Sequence, residues 1–283
     1  MNHRAILLVF FISIFPLTEL DALSHQNGLN IETESSSEPI SHLYGFGEMV
    51  ADTSDFSPRL QELANEFESI DLDLISLLED PRFELYETIG DRFRNSAERK
   101  MGSLEDYMDL LNTDQKKREI PDFIKSHEDA FAEAEKEYEI PRYVIASIIA
   151  IESNFGRNIG RYNPLNVYVS MYAVDYRTRF AKAQLEELLK FVEKKNLDVY
   201  ELKSSYAGAM SYGQFIPYSM NRWFVGEDIF DMRNNILSIA NYLAHFKEIT
   251  GSMSGAVYRY NPSSLYRDAV LALAEQAEQE NAM

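Results

Sequence analysis

The chain has 283 residues, of which 45% are hydrophobic and 12% aromatic, which is enough apolar material for one large domain or two small ones. Its net charge is −19 at pH 7, with 46 acidic against 27 basic residues, and this balance argues against a nucleic-acid partner. With 0 cysteines, the chain has no disulfide framework, no thiol nucleophile and no cysteine for a lipid anchor.

Residues 1–22 have the pattern of a cleaved secretory signal. His3 and Arg4 precede the apolar run AILLVFFISIFPL, which is too short to span a bilayer, and small residues follow near Ala22. We therefore expect an exported protein, located in the periplasm or outside the cell, that is not a lipoprotein. Residues 23–43 are polar and rich in serine and glutamate, which predicts a flexible acidic leader.

Residues 44–118 are predicted to form a helical N-terminal region. The segments SPRLQELANEFESI and DLDLISLLEDPRFELYETIGDRFRNSAERK repeat apolar residues at helical spacing. Ser57 and Asp80 each precede a proline, so we expect both to cap helices whose first turn holds that proline. Strand-like alternation is scarce along the whole chain, and the expected fold class is all-α.

Residues 119–283 are predicted to form a second helical domain that holds the chemistry. The segment PRYVIASIIAIESN predicts a helix with Pro141 as its first residue, which runs until Gly156 supplies a left-handed residue. A further helix is predicted from TRFAKAQLEELLKFVEKKN, whose apolar face would consist of Ala181, Leu185, Leu188, Leu189 and Val192.

Glu152 lies near the end of the first of these helices, with Ile148 and Ile149 one turn back on its own face. Burial and the carbonyl end of a helix both disfavour a charged carboxylate. The sequence therefore predicts a raised pKa for Glu152 and a side chain that can act as a general acid. A surface or capping glutamate is the simpler interpretation, and the helix alone does not decide between the two.

The segment SSYAGAMSYGQFIPYSMNRW carries groups that suit a sugar. It combines small residues with the side chains of Ser205, Tyr206 and Gln214. Hydroxyls, amides and aromatic faces are what a polyhydroxylated, N-acetylated sugar needs. A glycine-broken connection between two helices would have the same composition.

The segment AVYRYNPSSLYRDAVLALAE predicts a turn followed by a final helix. Pro262 disfavours helix at Asn261, and Ser263 or Ser264 can cap the helix that follows. This explanation accounts for the proline and the serines but leaves Tyr260 and Asn261 available for another role.

Four segments in this order resemble the lytic murein transglycosylases of the membrane-bound lytic transglycosylase B type: AEAEKEYEIPRYVIASIIAIESNFGRNIGRY, LKSSYAGAMSYGQFIPYSM, ILSIANYLAHF and YRYNPSSLYRDAVL. The resemblance covers roughly residues 120–275. It implies a lysozyme-like catalytic domain behind a helical extension. It also implies cleavage of the β-1,4 bond between N-acetylmuramic acid and N-acetylglucosamine in peptidoglycan.

The resemblance also implies roles for individual residues. Glu152 would be the catalytic acid and base, Ser205 would position the N-acetyl group, and Tyr260 would approach Glu152. The full expected set of substrate-binding residues is Ser153, Ser205, Tyr206, Gln214, Phe215, Tyr260 and Asn261.

The chain departs from the resemblance in places. Ser204 and Ser211 stand where the family often has glycine, so the family's backbone geometry is not carried over there. The segment FVGEDIFDMRNN replaces an acidic loop that binds calcium in some members, and the 5 histidines are scattered. We therefore expect no metal and no cofactor. Peptidoglycan glycan strands are the expected partner and a monomer the expected state, with cell-wall or secretion-machinery proteins left open as further partners.

The number of carboxylates in the site segments predicts the product. Hydrolytic glycosidases use two carboxylates, whereas these segments offer Glu152 and only peripheral acids such as Asp268. We therefore expect attack by the C6 hydroxyl of the muramic acid itself, which gives a 1,6-anhydromuramic acid end. Asp175 is the nearby candidate for a second carboxylate, but we expect it to cap the following helix. The alternatives are a lysozyme-type hydrolase of the same bond and a catalytically silent glycan-binding scaffold.

Overall fold

The fold is described here from a computed structural model that covers residues 57–94 and 102–282. Within these ranges the chain forms thirteen α-helices, and its only β pairing is a set of isolated antiparallel bridges. The expected all-α fold class is thus confirmed. The signal segment 1–22, the leader 23–43 and the first part of the predicted N-terminal region, residues 44–56, lie outside the described residues.

The helices are numbered in chain order. They are α1 Pro58–Glu68, α2 Ile75–Leu78, α3 Ile89–Arg94, α4 Leu104–Leu110, α5 Thr113–Ser126, α6 Glu128–Tyr138, α7 Arg142–Ser153, α8 Pro164–Ala173, α9 Thr178–Lys195, α10 Pro217–Trp223, α11 Met232–Thr250, α12 Met253–Tyr260 and α13 Ser264–Ala282. A short 3-10 helix, Val199–Glu201, lies between α9 and α10. In the part of the chain that is described, no helix combines the length and the apolar character needed to cross a membrane.

The N-terminal region forms helices, but one predicted start is wrong. Helix α1 begins at Pro58 directly after Ser57, as expected, although the Ser57 side chain makes no capping hydrogen bond. No helix begins after Asp80. Its carboxylate instead accepts hydrogen bonds from the backbone N–H of Arg82 at 2.8 Å and from the Arg82 guanidinium. This local bond stabilises a turn, and the next helix starts only at Ile89.

The N-terminal helices pack directly against the rest of the molecule. The backbone N–H of Tyr86 donates to the Ser170 hydroxyl at 2.7 Å, and the Tyr200 hydroxyl donates to the Leu77 carbonyl. The boundary predicted near residue 118 falls inside the continuous helix α5. The two predicted regions are therefore joined by a helix, without a linker at that point.

Helix α7 lies at the centre of the helical bundle. Its residues from Val144 to Ser153 are all buried, and it contacts α5, α6, α11 and α13. A helix that is apolar on every side is stable only when other elements surround it, and each buried isoleucine contributes about 1.5–3 kcal/mol.

The ends of α7 differ slightly from the prediction. The helix begins at Arg142, one residue after Pro141, and it ends at Ser153 because Asn154 already adopts a left-handed conformation, with φ 50°. Asparagine tolerates this conformation better than most residues with a side chain. The left-handed conformation thus begins two residues before Gly156.

Helix α9 matches its prediction. The face that the sequence pattern defined is buried, and its members are Ala181, Leu185, Leu188, Leu189 and Val192. This face packs against α8 and α10.

We predict that Gly160→Ala destabilises the protein strongly. Gly160 has φ +89°, and an added Cβ would lie 2.1 Å from the Ser204 carbonyl oxygen. The matched control is Gly251→Ala, since Gly251 has φ +72° but no atom within 4 Å of the added Cβ. The control should lose about 1–2 kcal/mol of unfolding free energy, the cost of a left-handed alanine. Gly160→Ala should lose clearly more, and equal losses in chemical denaturation would contradict the close approach.

Candidate active site

Glu152 is a buried carboxylate at the end of the central helix. It is 4% exposed, and it is the one Asp, Glu, His, Lys or Arg side chain that is buried in the described ranges. Ile148 and Ile149, one turn back, are 0% exposed. The predicted burial of Glu152 is confirmed, so its position is not that of a surface or capping residue.

The Tyr266 hydroxyl donates a hydrogen bond to Oε1 of Glu152 at 2.7 Å. Tyr266 is itself fully buried on α13. Burial raises the pKa of Tyr266 well above its ordinary value, and the charge of Glu152 adds to this effect. The phenol therefore keeps its proton and remains a donor. The hydrogen bond from Tyr266 favours the charged form of Glu152, whereas burial and the carbonyl end of the helix favour its neutral form.

Tyr266 and Tyr107 are both absent from the site residues predicted from the sequence. Tyr266 has a detectable signal, because α13 buries Tyr266, Ala269, Val270 and Leu273 at helical spacing. Tyr107 on α4 is buried as well, and its electrostatic effect contributes to the raised pKa of Tyr266. The helical spacing of the apolar residues on α13 places Tyr266 on a buried face. It does not show that this face meets the end of α7.

Tyr260 joins α12 to the loop of residues 204–215, which we call the site loop. Its hydroxyl donates to the Gly213 carbonyl at 2.6 Å, and its ring lies edge-on to that of Phe215 at 5.6 Å. Burial raises the pKa of Tyr260 well above its ordinary value, with the charge of Glu152 as the next cause. Tyr260 thus lies within electrostatic range of Glu152, in line with the resemblance, while the hydroxyl described on Oε1 is that of Tyr266.

Ser153 stabilises the turn that follows Glu152. Its hydroxyl donates to the Ile149 carbonyl at 3.2 Å and accepts from the backbone N–H of Gly156 at 3.0 Å. The residue is 1% exposed. These bonds fix the direction in which the chain leaves α7, and contact of Ser153 with substrate stays a prediction.

The site loop is folded tightly on itself and on residue 162. Isolated antiparallel bridges pair Ser204 with Tyr162 and with Met210. The Ser205 hydroxyl is fully buried and accepts from the backbone N–H of Ala209 at 3.2 Å. The role of Ser205 in positioning an N-acetyl group stays a prediction.

Ser211 and Gln214 in the site loop both have left-handed backbones, with φ 67° and 53°. The Gln214 Nε2 group donates to the Ser211 carbonyl at 3.0 Å. Its Oε1 atom, like the Ser211 hydroxyl, is buried with no hydrogen-bond partner among the described residues. Buried polar atoms are almost always paired, so Gln214 Oε1 has the character of an acceptor for a ligand.

The remaining predicted residues lie around these groups. Phe215 and Asn261 are buried, whereas Tyr206 is half-buried with its ring 5.1 Å from that of Phe93. Asn261 is extended and ends α12. The Ser263 hydroxyl accepts from the backbone N–H of Tyr266 at 3.3 Å, which confirms the predicted cap.

Asp175 lies in solvent at the start of α9. Its side chain is 74% exposed and accepts from the Arg59 guanidinium at 2.7 Å and from the Thr178 hydroxyl at 2.9 Å. The bond to Arg59 is the main cause of its lowered pKa. The predicted cap is therefore wrong: the residue before α9 is Arg177, no side chain caps that helix, and Asp175 bonds to the Thr178 hydroxyl instead. Elsewhere in the described ranges, no three side chains of His, Cys, Asp or Glu converge as metal ligands.

A family of known proteins contains this arrangement of segments. The sequence profile of the transglycosylase SLT domain matches residues 56–254, a range that includes Glu152 and the whole site loop. The chain belongs to this family. The match ends before Tyr260 and Tyr266, so it does not cover these two neighbours of Glu152, whose positions come from the structure.

One curated relative of this chain is the membrane-bound lytic murein transglycosylase B of Escherichia coli (strain K12). The two sequences are 32% identical over 127 residues, which cover 42% of this chain and 35% of the relative. The aligned region thus spans about a third of that curated protein.

Solved structures show the fold. The soluble lytic transglycosylase SltB1 from Pseudomonas aeruginosa superimposes with a TM-score of 0.70 at 23% identity, over 80% of this chain and 100% of that chain. SltB3 from the same organism, in complex with NAG-NAM-pentapeptide, gives 0.66 at 18% identity, over 77% and 78%. This chain therefore has the lysozyme-like fold of those proteins, with a helical N-terminal extension.

We predict that Ser211→Gly stabilises the protein. A left-handed L-residue costs about 1–2 kcal/mol, and an unpaired buried hydroxyl costs about 1–3 kcal/mol. Glycine removes both costs but adds up to about 1 kcal/mol of chain entropy in the unfolded state. The unfolding free energy should rise by about 1 kcal/mol or more. Ser211→Ala is the control, because it removes the hydroxyl and keeps the strained Cβ; it should be the less stable of the two variants.

Proposed function

We propose that this protein is a lytic murein transglycosylase that cleaves the β-1,4 bond between N-acetylmuramic acid and N-acetylglucosamine without hydrolysis. The observation that carries the proposal is that Glu152 is the one Asp, Glu, His, Lys or Arg side chain that is buried in the described residues, and that it is bound by a phenol. The murein named for the relative and the glycan fragment bound to SltB3 support peptidoglycan as the substrate.

In the proposed reaction Glu152 acts twice. As the neutral acid it donates its proton to the bridging oxygen while the bond from that oxygen to C1 of the muramic acid breaks. The resulting carboxylate then takes the proton of the C6 hydroxyl, whose oxygen bonds to C1 and closes the 1,6-anhydro ring. The second step regenerates the acid, so atoms and charges balance and no water is consumed.

Tyr266 serves this cycle because it donates to the carboxylate without carrying a charge. A cation in its place would hold Glu152 in the ionised form, whereas a neutral donor leaves both protonation states accessible. Between the two steps the carboxylate also faces the positive charge that develops on the sugar, and a fixed negative group in a buried site stabilises that charge.

The other predicted residues are assigned to substrate binding. Gln214 offers a buried carbonyl oxygen to an N–H or hydroxyl of the sugar. Ser205, Tyr206 and Phe215 lie in the same loop, Tyr260 bonds to that loop through Gly213, and Asn261 follows Tyr260 in the chain. Ser153 is assigned with them because it follows Glu152.

The proposal extends to location and state. Export through the segment 1–22, to the periplasm or outside the cell, would bring the enzyme to its substrate. We also propose a monomer that acts on glycan strands, without metal or cofactor.

The alternative hydrolase requires a second carboxylate near the scissile bond. Asp175 was the candidate, and its exposure and its bond to Arg59 favour a structural role. The alternative scaffold would bind glycan without turnover, and the burial of Glu152 beside a donor argues for chemistry instead.

The proposed reaction predicts the mass of the product. Digestion of isolated sacculi in water labelled with oxygen-18 should release muropeptides whose new ends are unlabelled and lighter by one water than reducing ends. Mass spectrometry distinguishes these ends directly. Glu152→Gln keeps the shape of the side chain, and it should lower turnover by about 10² to 10⁴ because general acid catalysis is lost.

Three outcomes would contradict this proposal. Labelled reducing ends would identify a hydrolase, and Asp175→Asn would then be the first variant to test. Sacculus binding without release would indicate the scaffold. Near-normal turnover by Glu152→Gln would remove Glu152 from the role of acid.

Tyr266→Phe should shift the pH dependence of the reaction. Removing the donor destabilises the charged carboxylate, so the pKa of Glu152 rises. Glu152 then stays protonated to higher pH. In a plot of kcat/KM against pH, the basic limb should therefore move to higher pH.

Tyr168→Phe is the matched control for this experiment. Tyr168 is also fully buried, and its hydroxyl donates to the Gly208 carbonyl at 3.0 Å. The control loses a comparable hydrogen bond away from Oε1 and should leave the basic limb in place. An equal shift in both variants, or no shift in Tyr266→Phe, would show that the Tyr266 bond does not tune the acid.

A further inference from the structure

Two arginines from distant parts of the chain meet at one tyrosine ring. The guanidinium carbon of Arg92, on α3, lies 5.5 Å from the centre of the Tyr162 ring, and that of Arg161 lies 5.8 Å from the same centre. Both arginines are exposed, and Tyr162 is half-buried. These distances are within the range of cation–π attraction, which holds each guanidinium beside the ring.

Neither of these guanidinium groups pairs with a carboxylate within residues 57–94 and 102–282. This is notable in a chain with 46 acidic and 27 basic residues. Arg94 lies on the same short helix as Arg92 and bonds to Asp91 at 2.7 Å. Acidic partners are thus available on α3, and Arg92 is directed to Tyr162 instead.

The arginine pair lies beside the site loop. The backbone N–H of Ser204 donates to the Tyr162 carbonyl at 2.7 Å, and the N–H of Tyr162 donates back to Ser204 at 3.0 Å. Phe93, next to Arg92, contacts the Tyr206 ring at 5.1 Å. The two guanidinium groups therefore flank the part of the loop where we assign substrate contacts.

We propose that Arg92 and Arg161 bind a free carboxylate of the peptide stem that muramic acid carries in peptidoglycan. This inference rests on the proposed function, because it names the part of the substrate that would lie beside the site loop. A guanidinium held against an aromatic ring presents its N–H groups at its edge, in the geometry that a carboxylate accepts from two donors. A glycan whose lactyl carboxylates are capped as amides offers no such group, so the pair would favour strands whose peptide stems carry a free carboxylate.

The test is a binding measurement that does not depend on turnover. The probes are the disaccharide GlcNAc-MurNAc with its peptide stem, the same compound with its peptide carboxylates amidated, and the disaccharide without peptide whose lactyl carboxylate is capped as a methyl amide. None contains the bond that the enzyme is proposed to cut. Calorimetry should show that the first probe binds about tenfold more tightly than the other two, as one charge-assisted contact would give.

The variant Arg92→Gln/Arg161→Gln should bind all three probes equally. Arg94→Gln is the control, since it removes one positive charge from the same helix as Arg92 and should retain the preference. The inference is overturned if the wild-type protein shows no preference, including no measurable binding of any probe, or if the double variant keeps it. Because sacculus cleavage is measured separately, a failure here is distinguishable from failure of the proposed function.

Discussion

The hydrogen bond from Tyr266 to Glu152 is the constraint on which the rest of the structure depends. A carboxylate 4% exposed at the carbonyl end of a helix is unstable unless a donor reaches it. The donor comes from α13, so α7 and α13 must pack closely, and these two helices do share an extensive contact. Tyr260 also lies within electrostatic range of Glu152, and Tyr107 within that of Tyr266, so two further uncharged phenols lie near the bonded pair.

The site loop meets a different requirement, which is to hold polar atoms in fixed positions without regular secondary structure. Its backbone groups are paired through isolated bridges, and Gly160 lets residue 204 approach so closely that no side chain fits between them. Ser211 and Gln214 accept left-handed backbones within it. Conformational strain of this kind persists only where the surroundings over-determine the backbone, and here Tyr260 fixes the loop through Gly213.

Several features were predictable because local patterns determine them. The apolar face of α9, the burial of Glu152 and the cap at Ser263 all follow from periodicity and capping chemistry. The helix expected after Asp80 failed because a carboxylate that bonds two residues ahead competes with helix formation. Tyr266 and Tyr107 could not be assigned, since their role depends on which helices meet, and helical spacing carries no information about the partner. The family resemblance supplied the placement of Glu152 in a site, which periodicity alone left open.

The distance along the chain between Glu152 and Tyr266 has a consequence for how the site forms. Their contact spans 114 residues, and α13 follows every other described helix. Synthesis delivers the N-terminal segments first, so Glu152 is made 114 residues before Tyr266. The carboxylate therefore lacks this donor until α13 has been made and has packed against α7. A partly folded chain would hold Glu152 without the Tyr266 hydrogen bond. The carboxylate thus has its native surroundings only in the fully folded protein.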